Sequence, residues 1–140
     1  MGDAATGPAQ PDAAEPTGEA VRAAWEANAD FWDAGMGEGN VFHRELVGPA
    51  AERLLALRPG ERVVEFACGN GQFSRRMAEL GATVFAGDLS ARLVELARER
   101  TARRPDLAGR VTFERVDAAD PAALAGIPDA PYDAAVCNMA

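Results

Sequence analysis

An apolar run that ends in a turn with two glycines is the most informative segment of the sequence. Residues 63–66 are apolar except for Glu65, and the turn that follows contains Gly69 and Gly71 before a helix-compatible stretch. A strand, a tight turn and a helix N-terminus in this order form the usual place where an α/β protein receives the polar part of a cofactor. Glycines in such a turn let a ligand approach the main chain and permit a positive φ.

Three acidic residues lie at or near the carboxyl ends of three successive strand-like runs. They are Glu65, Asp88 and Asp117. The carboxyl ends of parallel strands share one rim of a sheet, so we expect these carboxylates to line one crevice. Two of them have an ordinary alternative, since Asp88 could cap the helix that starts at Ser90 and Asp117 could be a solvated loop charge; Gly69 and Gly71 could likewise form an ordinary tight turn. The occurrence of all three acids at successive strand ends is what indicates a binding site for a polar ligand.

The glycine segment resembles motif I of the class I S-adenosylmethionine-dependent methyltransferases. That motif is an acidic residue, any residue, Gly or Ala, any, Gly, any, Gly, and the segment reads Glu65-Phe66-Ala67-Cys68-Gly69-Asn70-Gly71. The resemblance covers the amino-terminal half of such a domain. It implies S-adenosyl-L-methionine as cofactor and methyl transfer to a small-molecule acceptor, with no catalytic residue identified and the acceptor atom left open.

The resemblance implies a role for each residue of the turn. The loop formed by Ala67, Cys68, Gly69 and Gly71 would approach the methionyl part of the cofactor through its main chain. Glu65 would orient this loop or the methionyl ammonium. These five residues are therefore expected to be cofactor-binding.

Further cofactor-binding residues are implied at the ends of the next three strands. Asp88 would accept hydrogen bonds from both ribose hydroxyls, and Leu89 would lie against the adenine. Asp117 would accept from the adenine amine, and the Ala118 N–H would donate to the ring. Asn138 would lie near the methionyl portion and the sulfonium.

Two other functions fit parts of the pattern. A nicotinamide-dependent oxidoreductase shares the strand, turn and helix with an acid about twenty residues further on. Its third glycine position is Ser74 here, and its fingerprint requires neither Glu65 nor Asp117. The other alternative is a non-catalytic fragment that keeps half of a nucleotide site, and this chain alone is expected to transfer methyl groups weakly or not at all.

From Arg62 onward the sequence alternates strand-like and helical patterns. Strands are predicted at 62–67, 83–87, 111–116 and 132–137, with helices at 71–80 and 90–103 and a short helical turn after Asp120. This alternation predicts an α/β, doubly wound parallel sheet. The resemblance to the methyltransferases implies that the sheet is Rossmann-like, with strand order 3-2-1-4. Such a sheet leaves strand four as an exposed edge, so we expect the chain to be truncated after strand four, a piece of a longer protein with a thin core.

The chain is expected to divide into a disordered tail at 1–18, a helical lid at 19–58 and a partial S-adenosylmethionine-binding domain at 59–140. One amphipathic helix is predicted at 19–35 and a second at 41–57, the second with Leu46, Ala50, Leu54 and Leu57 facing inward. Pro49 would kink or restart that helix. The four aromatic residues of this region either pack the helices together or cover the acceptor pocket; they are Trp25, Phe31, Trp32 and Phe42.

The composition excludes several classes of function. The net charge is −8 with no basic patch, which argues against a nucleic-acid partner. No apolar run approaches the ~18 residues of a membrane span, and no signal peptide is visible, so a cytoplasmic location is expected.

His43 is the single histidine, which gives no metal site and little reason to expect a catalytic base. Cys68 and Cys137 are expected to be small buried thiols, with a disulfide as the alternative.

Overall fold

The computed structural model describes residues 18–129 and 131–140. Almost all of the expected tail at 1–18 therefore lies outside the described residues. Helix α1 spans Gly18–Met36, and a second helical segment follows with a π-helical turn at His43–Val47 that runs into α2 at Gly48–Leu55. In the described part of the chain no helix is both long enough and apolar enough to cross a bilayer.

The π-helical turn follows from local backbone chemistry. The Asn40 side chain begins the segment by accepting a hydrogen bond from the His43 N–H at 2.9 Å. The Gly48 N–H then donates to the His43 carbonyl, five residues back. Pro49 has no N–H to donate, so the regular four-residue ladder cannot pass through this point. The predicted break at Pro49 is therefore confirmed as a change of helix type.

The inward stripe predicted for the second helix was wrong at two positions. Leu46 and Leu54 are 59% and 87% exposed. Ala51 and Leu55 pack against the core, each one residue after a predicted inward position, Ala50 and Leu54. A π-helical turn contains one extra residue, and it rotates the following helix relative to the pattern read from the sequence. The predicted contact of Leu57 with the core is confirmed.

Four parallel strands form the sheet in the predicted order β3-β2-β1-β4. Their bounds are β1 Arg62–Phe66, β2 Thr83–Asp88, β3 Val111–Arg115 and β4 Ala134–Cys137. Val64 is paired with Phe85 on one side and Ala135 on the other. Within the described residues β4 pairs only with β1, so its outer edge is exposed as predicted.

Helices cover the two faces of the sheet unequally. Their bounds are α3 Gln72–Glu79, α4 Ala91–Ala102 and α5 Pro121–Ala125. One face carries the main core, built from β1, β2, α3 and α4 around Val63, Met77 and Val84. The other face has a smaller cluster in which Val64 and Phe85 are covered by the short α5 and the segment after it. The fold is thus doubly wound, with a thin second layer.

Helix α1 packs on α4 rather than on the sheet. Ala29 is fully buried against Leu93 and Leu96, and Trp32 lies beside them. The Glu26 carboxylate accepts a hydrogen bond from the hydroxyl of Ser90, the predicted N-cap of α4, at 2.7 Å. A carboxylate at a helix N-terminus is favoured by the helix dipole, so Glu26 fixes α1 at the start of α4.

The two cysteines are free thiols in different environments. Cys68 is buried and Cys137 is exposed. The expectation of unpaired thiols is confirmed, and the expectation that both are buried is wrong for Cys137. Its side chain points away from the main core because residues alternate between faces along a strand, and β4 is covered there by no helix among the described residues.

Gly71 is required by packing. Its φ is +74°, and a Cβ at this position would lie 2.7 Å from two ring atoms of Phe113 and 3.0 Å from the Ala97 Cβ. Gly109 has the same φ of +74° with nothing within 4 Å of its Cβ position. We therefore expect Gly71→Ala to lower the free energy of unfolding by about 2–5 kcal/mol, from backbone strain plus overpacking. Gly109→Ala should cost only about 1–2 kcal/mol. Urea denaturation measures both, and equal losses would contradict the packing argument.

Candidate functional site

A cavity of about 250 Å³ lies at the carboxyl ends of the strands. The sheet supplies one side of it, and the amino-terminal helices supply the other. The predicted site residues that line it are Glu65, Ala67, Cys68, Gly69, Asp88, Leu89, Asp117, Ala118 and Asn138. The structure therefore brings all three predicted acids to one cavity, as the parallel-sheet argument requires.

Gly71 is the predicted site residue that does not line the cavity. Its Cα faces Phe113 and Ala97 in the main core. Here the turn comes close to α4 and β3, so the need for glycine is explained by packing. Sequence reasoning could not separate this glycine from Gly69, because both have positive φ values in the same turn.

Glu65 is a buried carboxyl in the floor of the cavity. It is 2% exposed, and the Ser74 hydroxyl donates a hydrogen bond to it. Burial raises the pKa of Glu65 to about 8, and the neighbouring Asp88 carboxylate adds to this shift. The Ser74 hydrogen bond and the Arg75 charge act in the opposite direction. The protonated form of Glu65 is therefore favoured at neutral pH.

Asp88 holds two loops together. One carboxylate oxygen accepts from the Gly69 N–H at 2.8 Å, and the other accepts from the Ser90 N–H at 2.9 Å. Burial raises the pKa of Asp88, while these two main-chain donors lower it. A carboxylate has about four acceptor positions, so each oxygen keeps one for a ligand. Asp88 is thus both a structural clamp and part of the cavity wall.

The other predicted residues lie along the remaining rim. Asp117 is half-buried, and one of its oxygens accepts from the Ala119 N–H at 2.9 Å. Leu89 is half-buried and Ala118 exposed at the cavity edge. The Asn138 Nδ2 is buried and has no hydrogen-bond partner among the described residues. A buried amide without a partner is costly, which makes Asn138 a donor available to a ligand.

The glycine loop presents its main chain to the cavity in a strained form. Ala67, Gly69 and Gly71 all have positive φ values, and Ala67 is the one that carries a side chain there. The Cys68, Gly69 and Gly71 N–H groups already donate within the chain. Ligand contact through Cys68 and Gly69, the two of these that line the cavity, must therefore use carbonyl groups and close approach of the main chain.

A polar cluster that sequence reasoning missed fastens α1 to the glycine loop. The buried Asn70 side chain donates to Asp33 at 2.8 Å and to the Gly37 carbonyl at 2.9 Å. Arg100 of α4 donates to the same Asp33 carboxylate at 2.6 Å. The hydrogen bond from Arg100 lowers the pKa of Asp33. These contacts span more than thirty residues, so no local sequence signal could have found them.

A second missed contact lies directly behind the loop. Arg75 is 2% exposed and donates to the Asn70 carbonyl at 2.8 Å and to Glu38 at 2.9 Å. Arg100 also donates to Glu38 at 2.9 Å. The sequence did contain one signal for this contact. Arg75 lies between Phe73 and Met77 on the inward face of α3, and a buried charged residue needs a partner.

The amino-terminal wall of the cavity is largely apolar. Trp25, Trp32, Met36 and His43 contribute to it, together with Phe73 of α3. The two indole rings pack edge-to-face at 5.6 Å. The position that a Cβ of Gly69 would occupy is 3.4 Å from the Trp32 Nε1. The two tryptophans thus pack against each other within α1 and both line the cavity, whereas Phe31 and Phe42 are 81% and 54% exposed and do not line it. A cover over the acceptor pocket stays a prediction.

The Asn70 contacts should matter for stability. We expect Asn70→Ala to lower the free energy of unfolding by about 1–3 kcal/mol, since it removes two hydrogen bonds and leaves the Gly37 carbonyl unpaired. Asn28→Ala is the matched control, because the exposed Asn28 side chain donates to the Ala24 carbonyl at 2.8 Å. The control should change stability by less than about 0.5 kcal/mol. Hydrogen exchange should show faster opening of α1 in Asn70→Ala alone; unchanged protection of α1 would refute the fastening role.

The buried Glu65 predicts a pH dependence of stability. Its pKa in the folded protein, about 8, lies above the unfolded value, so the folded state binds the extra proton. The resulting stability is complete below the unfolded pKa and is lost as the pH rises through about 8. The free energy of unfolding of Glu65→Gln should therefore rise relative to the wild type between roughly pH 5 and 8, by an amount on the order of 1–3 kcal/mol. Denaturant titrations at several pH values measure this difference; parallel curves would rule out a neutral Glu65.

Comparison with known proteins agrees with this geometry. Residues 63–140 match the family described as "Methyltransferase domain". The chain is 32% identical over 133 residues to 27-O-demethylrifamycin SV methyltransferase of Amycolatopsis mediterranei, covering 85% of this chain and 47% of that protein. It is 52% identical over 71 residues to ubiquinone biosynthesis O-methyltransferase of Xanthomonas campestris pv. campestris, covering 49% of this chain and 28% of that protein.

Solved structures of methyltransferases are also similar to this chain. The S-adenosyl-L-homocysteine complex of a methyltransferase from Thiobacillus denitrificans has a TM-score of 0.56 and 29% identity, over 69% of this chain and 37% of that one. Magnesium protoporphyrin IX methyltransferase from Synechocystis PCC 6803 has a TM-score of 0.62 and 25% identity, over 84% and 56%. The chain spans about half the length, or less, of the curated relatives described above. The sheet order, the glycine turn and these matches together show that the chain belongs to the methyltransferase domain family of class I S-adenosylmethionine-dependent methyltransferases.

Proposed function

We propose that this chain binds S-adenosyl-L-methionine and contributes to methyl transfer to a small-molecule acceptor. The observation that carries the proposal is the convergence of Glu65, Asp88 and Asp117 on one cavity at the carboxyl ends of three adjacent strands. The net charge of −8 supports a small molecule over a nucleic acid as the acceptor. The relatives described above carry the names of O-methyltransferases and related enzymes, which also supports this class of acceptor.

The donors and acceptors of the cavity suit the methionyl part of that cofactor. We assign the main chain of Ala67, Cys68 and Gly69 to this part, with Gly71 shaping the turn from behind. The strained Ala67 and the absent side chain at Gly69 support a close approach. Glu65 contributes through its buried carboxyl, which faces the cavity from below. The unpartnered Asn138 amide supplies a donor at the end of β4.

The nucleoside part is assigned to the ends of β2 and β3. Asp88 keeps one acceptor position on each oxygen, which suits two adjacent ribose hydroxyls. Leu89 offers an apolar surface for the adenine. Asp117 and the Ala118 N–H form an acceptor and a donor at the rim, which suits the adenine edge.

The cofactor, when bound, supplies the methyl group from its sulfonium. The residues of this chain position the reactants and exclude water, and such positioning can contribute ~7–11 kcal/mol to a displacement. The apolar wall from α1 and the π-helical turn serves the second purpose. We propose that residues 19–58 act as a helical lid over a partial cofactor-binding domain at 59–140, since Trp25, Trp32 and Met36 already line the cavity.

Two chemically matched aspartates test the cofactor assignment. Asp117 and Asp120 each accept one hydrogen bond from the N–H two residues ahead, at 2.9 Å, and only Asp117 lines the cavity. We expect the wild type to bind S-adenosyl-L-homocysteine in calorimetric titration and not NAD. Asp117→Asn should weaken that binding by about tenfold or more, because a charge-assisted hydrogen bond is lost. Asp120→Asn should leave it unchanged.

Binding of NAD without S-adenosyl-L-homocysteine would replace the proposal with an oxidoreductase domain. Binding of S-adenosyl-L-homocysteine with equal affinities for the two aspartate variants would overturn the adenine assignment alone. Binding of S-adenosyl-L-homocysteine by this chain with no methyl transfer to any acceptor would favour the non-catalytic alternative.

A further inference from the structure

His43 is a buried residue of the cavity wall, and the proposed function assigns no role to it. It is 4% exposed and begins the π-helical turn, with its N–H held by the Asn40 side chain at 2.9 Å. The imidazole packs edge-on against Phe73 at 5.9 Å. Phe73 lies in the first turn of α3, directly after the glycine loop. The ring is therefore fixed beside the part of the cavity where the loop and the amino-terminal helices meet.

The imidazole has an unmet hydrogen-bonding need. Its Nδ1 is buried beside Gly48 and has no partner among the described residues, while His43 as a whole lines the cavity. Leaving a buried polar nitrogen unpaired is destabilising, and such a group calls for an explanation other than stability. No partner in the described part of the chain fixes which ring nitrogen carries the proton, so the ring is free to accept or donate. Burial lowers the pKa of His43, which keeps the ring neutral near pH 7.

The other titratable groups of the cavity are less suited to take a proton. Glu65 is bonded to Ser74 and holds its own proton at neutral pH. Burial raises the pKa of the Cys68 thiol well above its ordinary value, so it stays protonated. Asp88 is held by two main-chain donors, and Asp117 lies on the opposite, sheet-derived rim.

The surroundings of His43 indicate the chemical class of its ligand. Trp25, Trp32, Met36 and Phe73 line the same side of the cavity, and none of them carries a charge. Such a wall suits a flat aromatic ring, through edge-to-face and sulfur–aromatic contacts. A flat ring placed there could direct one polar substituent toward the imidazole.

We infer that His43 is a catalytic residue that accepts the proton of an aromatic hydroxyl bound between the amino-terminal helices and the glycine loop. The inference rests on the proposed function. In the step, the acceptor O–H bond breaks and its proton passes to an imidazole nitrogen. The oxygen forms a bond to the methyl carbon, and the electron pair of the broken carbon–sulfur bond stays on sulfur. The neutral ring becomes an imidazolium, so charge and atoms balance.

The single histidine makes a direct test possible. Protein labelled with ¹⁵N-histidine gives the signals of one imidazole, and they can be followed with S-adenosyl-L-homocysteine bound and then with phenol or anisole added. We expect phenol to move the unprotonated ring nitrogen toward the chemical shift of a protonated one. Anisole has the same ring without the hydroxyl proton, and we expect it to leave that nitrogen nearly unmoved.

Two variants separate a role toward the acceptor from a role toward the cofactor. His43→Gln should bind S-adenosyl-L-homocysteine within about threefold of the wild type and lose most of its affinity for phenol. Glu45→Gln, at an exposed position of the same turn, should retain both affinities. Thermal unfolding shows whether His43→Gln is folded. If this variant does not fold, the comparison of phenol with anisole in the wild-type spectra tests the role of His43.

Three outcomes would overturn the inference. Equal shifts with phenol and anisole would reduce the contact to ring packing. A loss of S-adenosyl-L-homocysteine affinity of about tenfold or more in folded His43→Gln would make His43 a cofactor contact. A wild type that binds S-adenosyl-L-homocysteine and does not respond to phenol would overturn the role of His43 alone, whereas a wild type that binds no S-adenosyl-L-homocysteine would overturn the proposed function with it.

Discussion

The attachment of α1 to the glycine loop is the interaction on which the site depends. Without it the carboxyl ends of the strands would form an open crevice, and only with it do they become one side of a cavity. The attachment is polar and centred on Asn70, whose side chain binds Asp33 and the Gly37 carbonyl. Arg75 and Arg100 then neutralise the carboxylates that the contact brings in from α1 and the loop after it. Because the charges are paired across three elements, α1 has a defined position despite its short apolar contact with α4.

The closed cavity also buries two acidic groups next to one another. Glu65 and Asp88 both lose hydration in the floor of the cavity, and each would be costly there as a bare charge. The cost of burial is reduced in a different way for each of the two groups. Asp88 stays within reach of two main-chain donors, whereas Glu65 keeps its proton and bonds to Ser74. The cavity thus contains one protonated carboxyl and one carboxylate that can accept, at adjacent strand ends.

The π-helical turn has a comparable effect on the opposite wall. The extra residue in the turn rotates the helix that follows it, and Leu46 and Leu54 lie at the surface, while His43 at the start of the turn is buried. A regular helix with the predicted stripe would have buried the two leucines on the same face as His43. The break therefore leaves His43 in the cavity wall and removes the two leucines from it. Its cause is chemical and local, since Pro49 cannot donate a hydrogen bond and Gly48 can donate to a carbonyl five residues back.

The sequence by itself determined the sheet, its strand order and the rim on which the three acids lie. Strand and helix periodicity, a glycine or proline shortly before each strand and the right-handed crossover rule can be read without coordinates, because they are local or general. The strand order followed from the resemblance carried by the glycine segment. It also determined that Gly69 and Gly71 lie in one turn. Tertiary structure alone decided that Gly71 serves the core, that Asn70 fastens α1, and that His43 lies in the cavity wall. Each of these depends on which distant element lies against the residue, and a periodic pattern carries no information about contacts more than thirty residues apart.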